Sequence, residues 1–120
     1  MSLLKIAIAK KENGIVVVTL SGQIDSDTYI DLQKKLEPIL KTPTKVMIFD
    51  MKAVNYVSSM GINVIFIARE KIEKGGGHLL LVNLQPKIVK LFDILNTLLS
   101  KDVFKSVEAL DAYLASIQQK

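Results

Sequence analysis

The N-terminal part of the chain has the hydrophobic pattern of two β-strands joined by a tight turn. Between residues 4 and 8 every second position is a large aliphatic residue, which predicts a strand with one buried face. Residues 15–20 are mostly β-branched, a composition that favours strands. Asn13-Gly14 lies between them and is a hairpin-turn signal. The pattern therefore predicts an antiparallel hairpin, which is broken at residues 21–25.

Three later segments carry hydrophobic residues at spacings of three and four, as amphipathic helices do. The first follows the candidate N-cap residues 25–27 and should be kinked or ended by Pro38. The second should begin near Ser58 and Ser59 and end at the glycines 75–77, and the third should begin at Pro86. The predicted inward positions are Tyr29, Leu32, Leu36 and Ile39, then Gly61, Ile65, Ala68 and Ile72, then Ile88, Leu91, Phe92 and Leu95.

Two short hydrophobic runs separate these helices, and both predict strands that are covered on both faces. One is Val46–Phe49, which Asp50 should close, and the other is Leu79–Val82. Residues 104–107 are predicted as a short strand or a strand-like link, and residues 107–117 as a last helix. Strands that alternate with helices need crossover connections, which favour parallel pairing. The predicted fold class is α/β, with a mixed, mainly parallel sheet, an antiparallel N-terminal hairpin strand, and helices packed on the sheet.

Composition fits one folded domain over residues 1–120. The chain is 49% hydrophobic and 23% charged, which excludes intrinsic disorder. It has no cysteine and one histidine, so disulfides, a thiolate nucleophile and the common multi-histidine metal sites are excluded. Since no hydrophobic run approaches the roughly 20 residues of a membrane span, and the N-terminus does not resemble a signal peptide, we expect a cytoplasmic protein that does not insert into membranes.

The net charge of +4 raises the question of nucleic acid binding. The lysines are scattered, only one arginine is present, and tryptophan is absent. Arginine is the better reader of bases and phosphates, and aromatic side chains form stacking platforms. A dispersed lysine surface is therefore the favoured interpretation, without direct binding of nucleic acid.

The sequence offers little for catalysis, so we predict no catalytic residue, metal or cofactor. No pair of acids has acid–base or metal-ligand spacing, and Ser58-Ser59 lacks the context of a nucleophile elbow. The glycines 75–77 follow a helix and open a strand, whereas a phosphate loop follows a strand and opens a helix. Asp25 and Asp50 lie near predicted strand ends, where ligands of open α/β sheets gather. A helix cap explains Asp25 equally well, and a turn is the favoured interpretation of Asp50.

Ser58-Ser59 is the most informative position. A serine at a helix N-terminus is usually an N-cap. Gly61 lies in the first turn and has no side chain to cover the backbone. We therefore expect Ser59 to be accessible and a partner to approach the helix backbone closely here. A phosphate on Ser59 would be tolerated, since helix N-termini stabilise anions by about 0.3–1 kcal/mol. Position alone therefore leaves two interpretations open, a simple cap and a regulatory phosphorylation site.

Several motifs in the right order resemble the STAS domain family of anti-sigma factor antagonists. The central one is FDMKAVNYVSSMGI at residues 49–62, which resembles the family's strand ending in Asp, followed by a link and Asp/Ser-Ser-x-Gly-Leu. SGQID at 21–25 resembles its Gly-x-Leu/Ile-Asp element, and KGGGHL at 74–79 resembles its helix exit. The resemblance covers almost the whole chain.

The resemblance implies a bacterial partner-switching regulator of transcription that is not an enzyme. Such an antagonist binds an anti-sigma factor, which is itself a serine protein kinase, and thereby frees a sigma factor. Phosphorylation by that kinase releases the antagonist, and a serine phosphatase resets it. The resemblance implies Ser59 as phosphoacceptor, and it places Asp25, Ser58, Met60 and Gly61 at the partner-binding surface. Ser58 stands where relatives often have Asp, and the basic charge is a second departure.

Two alternatives use the same fold without phosphorylation. One is a constitutive interaction or scaffold module, as in STAS domains associated with transporters. The other is a protein that binds a small ligand or acts in a lipid pathway. A gene for a histidine-kinase-like ATPase next to the gene of this chain would favour the antagonist.

Overall fold

The structure, a computed structural model, describes residues 3–98, with side chains to residue 93. Strands and helices alternate after an N-terminal hairpin, as the sequence predicts. The strand and helix predicted beyond residue 98 lie outside the described residues. The elements are β1 (Leu4–Lys10), β2 (Ile15–Ile24), α1 (Tyr29–Leu40), β3 (Val46–Val57), α2 (Ser59–Lys74), β4 (His78–Val82) and α3 (Pro86–Leu98).

The described strands form one mixed sheet in the order β1-β2-β3-β4. β1 pairs antiparallel with β2, and the pairs β2–β3 and β3–β4 are parallel. The turn between β1 and β2 contains Asn13 and Gly14 with φ of 64° and 76°, the left-handed conformation that these residue types tolerate best. The predicted fold class is confirmed, including the antiparallel hairpin.

β2 and β3 are longer than predicted, and the reason is irregular pairing between them. β2 continues through residues 21–24, and β3 continues past Asp50 to Val57. The register between them shifts twice, and each shift adds one residue to β3. Extra residues of this kind disturb the alternation of buried and exposed positions, so the sequence pattern ends before the strand does. The buried positions of β3 are Met47, Phe49, Met51, Val54 and Val57.

α1 and α2 pack against each other and against the sheet, and the core lies between these layers. All predicted inward positions of α2 are buried. In α1 the predicted stripe is buried except for the half-buried Tyr29, and Pro38 lies within the last turn, two residues before the helix ends. α3 contacts β3, and its Phe92 ring lies 6.2 Å from the Phe66 ring of α2. The inward position predicted for Leu95 falls on a side chain outside the described ones.

Among the helices of the described part, none has the length and hydrophobicity that a membrane span requires.

Candidate functional site

The ends of β2 and β3 bring two predicted site residues, Asp25 and Ser59, to one place. Ile24 pairs in register with Val57, and the backbone N–H of Ser58 donates a hydrogen bond of 2.8 Å to the carbonyl of Ile24. Asp25 directly follows Ile24, and Ser59 directly follows Ser58. The loop that begins at Asp25 therefore lies beside the start of α2.

Ser58 is the N-cap of α2. Its backbone is extended, with φ of −90° and ψ of 175°, and its Oγ accepts a 3.3 Å hydrogen bond from the N–H of Gly61. The residue is only 4% exposed. The hydroxyl of Ser58 is thus buried and satisfies one of the free amides of the helix start, a contact whose loss costs typically about 1 kcal/mol.

Ser59 is the first residue of α2 and has different surroundings from Ser58. The residue as a whole is half-buried, but its Oγ atom is buried. The expectation of an accessible hydroxyl is therefore wrong for this side-chain conformation.

Gly61 faces the interior instead of opening the surface. It is buried, and a Cβ atom added to it would lie 2.6 Å from Cγ2 and 2.7 Å from the carbonyl oxygen of Ile24. Glycine is needed here because α2 approaches the end of β2 too closely for any side chain. The expectation of an open backbone at Gly61 is wrong, so partner contact predicted for this residue cannot rest on it.

Asp25 organises the connection from β2 to α1. Its Oδ1 accepts hydrogen bonds from the N–H groups of Asp27 at 2.9 Å and Thr28 at 3.1 Å. The N–H of Asp25 donates to Oγ1 of Thr28 at 2.9 Å, and that hydroxyl donates to the carbonyl of Gln23 at 2.6 Å. The N-cap of α1 is Thr28 and not one of residues 25–27, because Asp25 closes an Asx turn before the helix begins.

Asp50 is not at a strand end, which corrects its predicted position. It lies within β3, and its Oδ1 accepts 3.2 Å hydrogen bonds from the N–H of Lys52 and from Nδ2 of Asn83. The contact with Lys52 lies at the first register shift between β2 and β3, and the contact with Asn83 connects this point to the residue after β4. Asp50 therefore has a local structural role, away from the start of α2.

The glycines 75–77 end α2 as predicted. The N–H groups of Gly75 and Gly77 both donate to the carbonyl of Ile72, and that of Gly76 donates to the carbonyl of Glu73. These amides are directed to the helix end and do not surround a phosphate position. Within residues 3–98 no cluster of three or more side chains could hold a metal ion.

A groove between α1 and α2 is a feature that the sequence analysis missed. Its volume is about 260 Å³, and Met60, the residue after Ser59, is among the residues that line it. Met60, Val64, Ile67 and Lys71 recur at helical spacing next to the predicted stripe of α2, and Val64 among them is buried. That second stripe is visible in the sequence, but only the distance between the two helices shows that it faces a groove.

Comparison with known proteins shows the family to which this chain belongs. The model of the STAS domain matches residues 7–110, so the chain belongs to the STAS domain family. It is 32% identical over 91 residues to the anti-sigma-B factor antagonist of Bacillus subtilis, covering 76% of this chain and 82% of that protein. It is 26% identical over 102 residues to the putative anti-sigma factor antagonist BtrV of Bordetella bronchiseptica, covering 85% of this chain and 88% of that protein.

Solved structures share the fold at lower sequence identity. An anti-sigma factor antagonist from Mycobacterium paratuberculosis has a TM-score of 0.70 at 18% identity, covering 94% of this chain and 95% of that chain. The Bacillus cell fate determinant SpoIIAA in its phosphorylated form has a TM-score of 0.64 at 18% identity, covering 75% of this chain and 82% of that chain. The STAS resemblance found in the sequence motifs is thus confirmed.

Proposed function

We propose that this chain is an anti-sigma factor antagonist. In its unphosphorylated state it binds an anti-sigma factor that is a serine protein kinase, and phosphorylation of Ser59 releases it. The names of the relatives that cover most of this chain support the first part. The second part has support from a neighbour of the same fold, SpoIIAA, which has been solved in a phosphorylated form.

The observation that carries the proposal is the division of roles between two adjacent serines. The hydroxyl of Ser58 is buried and caps α2, so a phosphate there would remove the cap and force the helix start apart. Ser59 occupies the first helical position, where a phosphate lies next to the free N–H groups of the helix. Helix N-termini stabilise such an anion by about 0.3–1 kcal/mol, so the fold should tolerate phosphate on Ser59.

The phosphate acts on the complex rather than on the fold. It adds about −1.5 to −2 charges and three acceptor oxygens at the start of α2. An interface that covers this position without a matching cation must bury an unpaired charge, which costs on the order of 3–5 kcal/mol. Since about 1.4 kcal/mol corresponds to a tenfold change in the dissociation constant, the affinity falls roughly a hundredfold or more. A serine phosphatase restores binding by removing the group.

The buried Oγ of Ser59 adds one requirement to phosphorylation. The kinase must stabilise a side-chain rotamer that presents the oxygen to the γ-phosphate of ATP, because in-line transfer needs the attacking oxygen in reach. Binding to the anti-sigma factor and exposure of Ser59 would then be two aspects of one event.

A kinase assay tests the proposal. The purified chain, with Ser58→Ala and Ser59→Ala as paired variants, is incubated with ATP and the anti-sigma factor kinase of the same genome. The modified residue is mapped by mass spectrometry. We expect one phosphate on wild type and on Ser58→Ala, and none on Ser59→Ala. Phosphate on Ser58, or no phosphate transfer to wild type, would contradict the proposal.

We further infer that the protein acts in the cytoplasm, without catalysis of its own, since its proposed partners control transcription.

A further inference from the structure

The groove between α1 and α2 runs along both helices. α1 contributes Tyr29, Leu36 and Leu40, and α2 contributes Met60, Val64 and Ile67. The lining positions extend from 29 to 40 on one helix and from 60 to 71 on the other. At 1.5 Å per residue, each stretch is roughly 16 Å long, about three helical turns.

The size of the groove favours side chains of a protein partner over a small molecule. Its volume of about 260 Å³ lies below the range of roughly 300–1,000 Å³ that is typical of small-molecule sites. A groove of this volume and about three helical turns in length fits a few aliphatic side chains projecting from one helix. Peptide recognition of this kind uses apolar residues at i, i+3 or i+4, and i+7.

Two exposed isoleucines flank the groove. Ile67 lines it and is 43% exposed, and Ile30 is also 43% exposed. Ile30 lies three residues before Gln33 and seven before Glu37, which both line the groove, so helical geometry places Ile30 on the same side of α1. Single exposed aliphatic residues are common, but here one lies on each of the two helices that form the groove.

The groove is continuous with the phosphorylation site proposed above. Met60 lines the groove and is the residue after Ser59, so the groove reaches the first turn of α2, to which Ser59 also belongs. A helix seated in it would pass the start of α2 at one end. The polar rim carries both signs of charge, with Glu37 on α1 and Lys71 on α2, and so it suits an amphipathic helix of mixed charge.

We propose that this α1–α2 groove receives an amphipathic helix of the anti-sigma factor, whose aliphatic side chains at i, i+3 or i+4, and i+7 pack against Met60 and Ile67, with the buried Val64 as the floor between them. This inference rests on the proposed function and specifies the surface that the partner uses. If so, contacts in the groove supply most of the binding free energy, and phosphorylation of Ser59 in the first turn of α2 controls release of the partner.

Site-specific photo-cross-linking tests this surface in the native cell, where the natural partner is present. A photo-reactive amino acid replaces Ile67 in the groove, the exposed Asp27 in the loop that begins at Asp25, or Val89 on α3, which is 42% exposed and does not line the groove. After irradiation in cells, mass spectrometry identifies the captured protein and the captured peptide. We expect positions 67 and 27 to capture one anti-sigma factor, with position 67 joined to a helical segment, and position 89 to capture none.

The outcomes separate the two proposals. Capture of an anti-sigma factor from position 27 but not from position 67 would overturn the groove and leave the proposed function standing. Capture of a second copy of this chain from position 67 would also overturn the groove. If neither position captures an anti-sigma factor, both proposals fail.

An affinity measurement with the captured anti-sigma factor provides the quantitative test. Ile67→Lys places a charge in the groove, whereas Val89→Lys makes the same change at a site of matched exposure outside it. We expect Ile67→Lys to weaken binding at least about tenfold, and Val89→Lys to bind as wild type does, with equal thermal stability. Equal affinities for the two variants would overturn the inference, as would a larger loss for Val89→Lys.

Discussion

The carbonyl of Ile24 accepts a hydrogen bond from the N–H of Ser58 at 2.8 Å, which joins the end of β2 to the start of α2. The same carbonyl oxygen lies 2.7 Å from the place where a Cβ of residue 61 would be. One peptide group of β2 therefore fixes both the N-cap of α2 and the need for glycine in its first turn. Through this contact the position of Ser59 depends on the loop that begins at Asp25.

Gly61→Ala should destabilise the fold because the added methyl group meets both the side chain and the carbonyl of Ile24. Overpacking of this kind costs typically about 1–3 kcal/mol. Gly75→Ala is a matched control, since Gly75 has a φ of −85° and its nearest neighbour atom would lie 3.6 Å from the new Cβ. Urea unfolding followed by circular dichroism measures both. Equal unfolding free energies for the two variants would show that α2 can move away from β2 freely.

Ser58→Ala should lower the unfolding free energy by about 1 kcal/mol, because it removes the acceptor for the N–H of Gly61. Ser58→Asp should restore most of this loss, since a carboxylate can accept the same hydrogen bond and is favoured at a helix N-terminus. Thermal unfolding of wild type and both variants gives the order. A Ser58→Ala protein as stable as wild type would contradict the capping role.

Asp25 needs two substitutions, because its carboxylate has a structural contact as well as a predicted partner contact. Asp25→Ala removes the acceptor for the N–H groups of Asp27 and Thr28 and should reduce both stability and partner binding. Asp25→Asn keeps an oxygen acceptor but removes the charge, so it should retain the melting temperature within about 2 °C. Weaker anti-sigma factor binding by Asp25→Asn, measured by calorimetry, would assign the charge to the interface. Wild-type affinity would restrict Asp25 to the turn.

Much of this arrangement follows from sequence pattern, and the parts that do not have identifiable causes. Local signals were sufficient for the Asn13-Gly14 turn, the buried stripe of α2 and a helix start at Ser58-Ser59. The second half of β3 was missed because two register shifts break its alternation, and Asp50 was misplaced for the same reason.

The environment of the predicted site residues required the three-dimensional structure. The contact that demands glycine at position 61 is made by Ile24, which is far away along the chain. Likewise, no local pattern separates a buried Oγ of Ser59 from an exposed one, or reveals the gap between α1 and α2. Sequence pattern located the site, whereas burial and contacts decided which of its residues are available to a partner.

Ser59 gives the sharpest prediction, because stability and binding should separate there. Ser59→Asp places a negative charge at the first position of α2, where the helix N-terminus stabilises it, so the melting temperature should stay close to that of wild type. Its affinity for the anti-sigma factor should fall roughly a hundredfold, since the interface must cover an unpaired carboxylate. Ser59→Ala should bind as wild type does and remain bound in the presence of ATP. Calorimetric titration with and without ATP, together with thermal unfolding, measures all of these effects. A Ser59→Asp protein that binds as tightly as wild type would show that charge at this position does not release the partner.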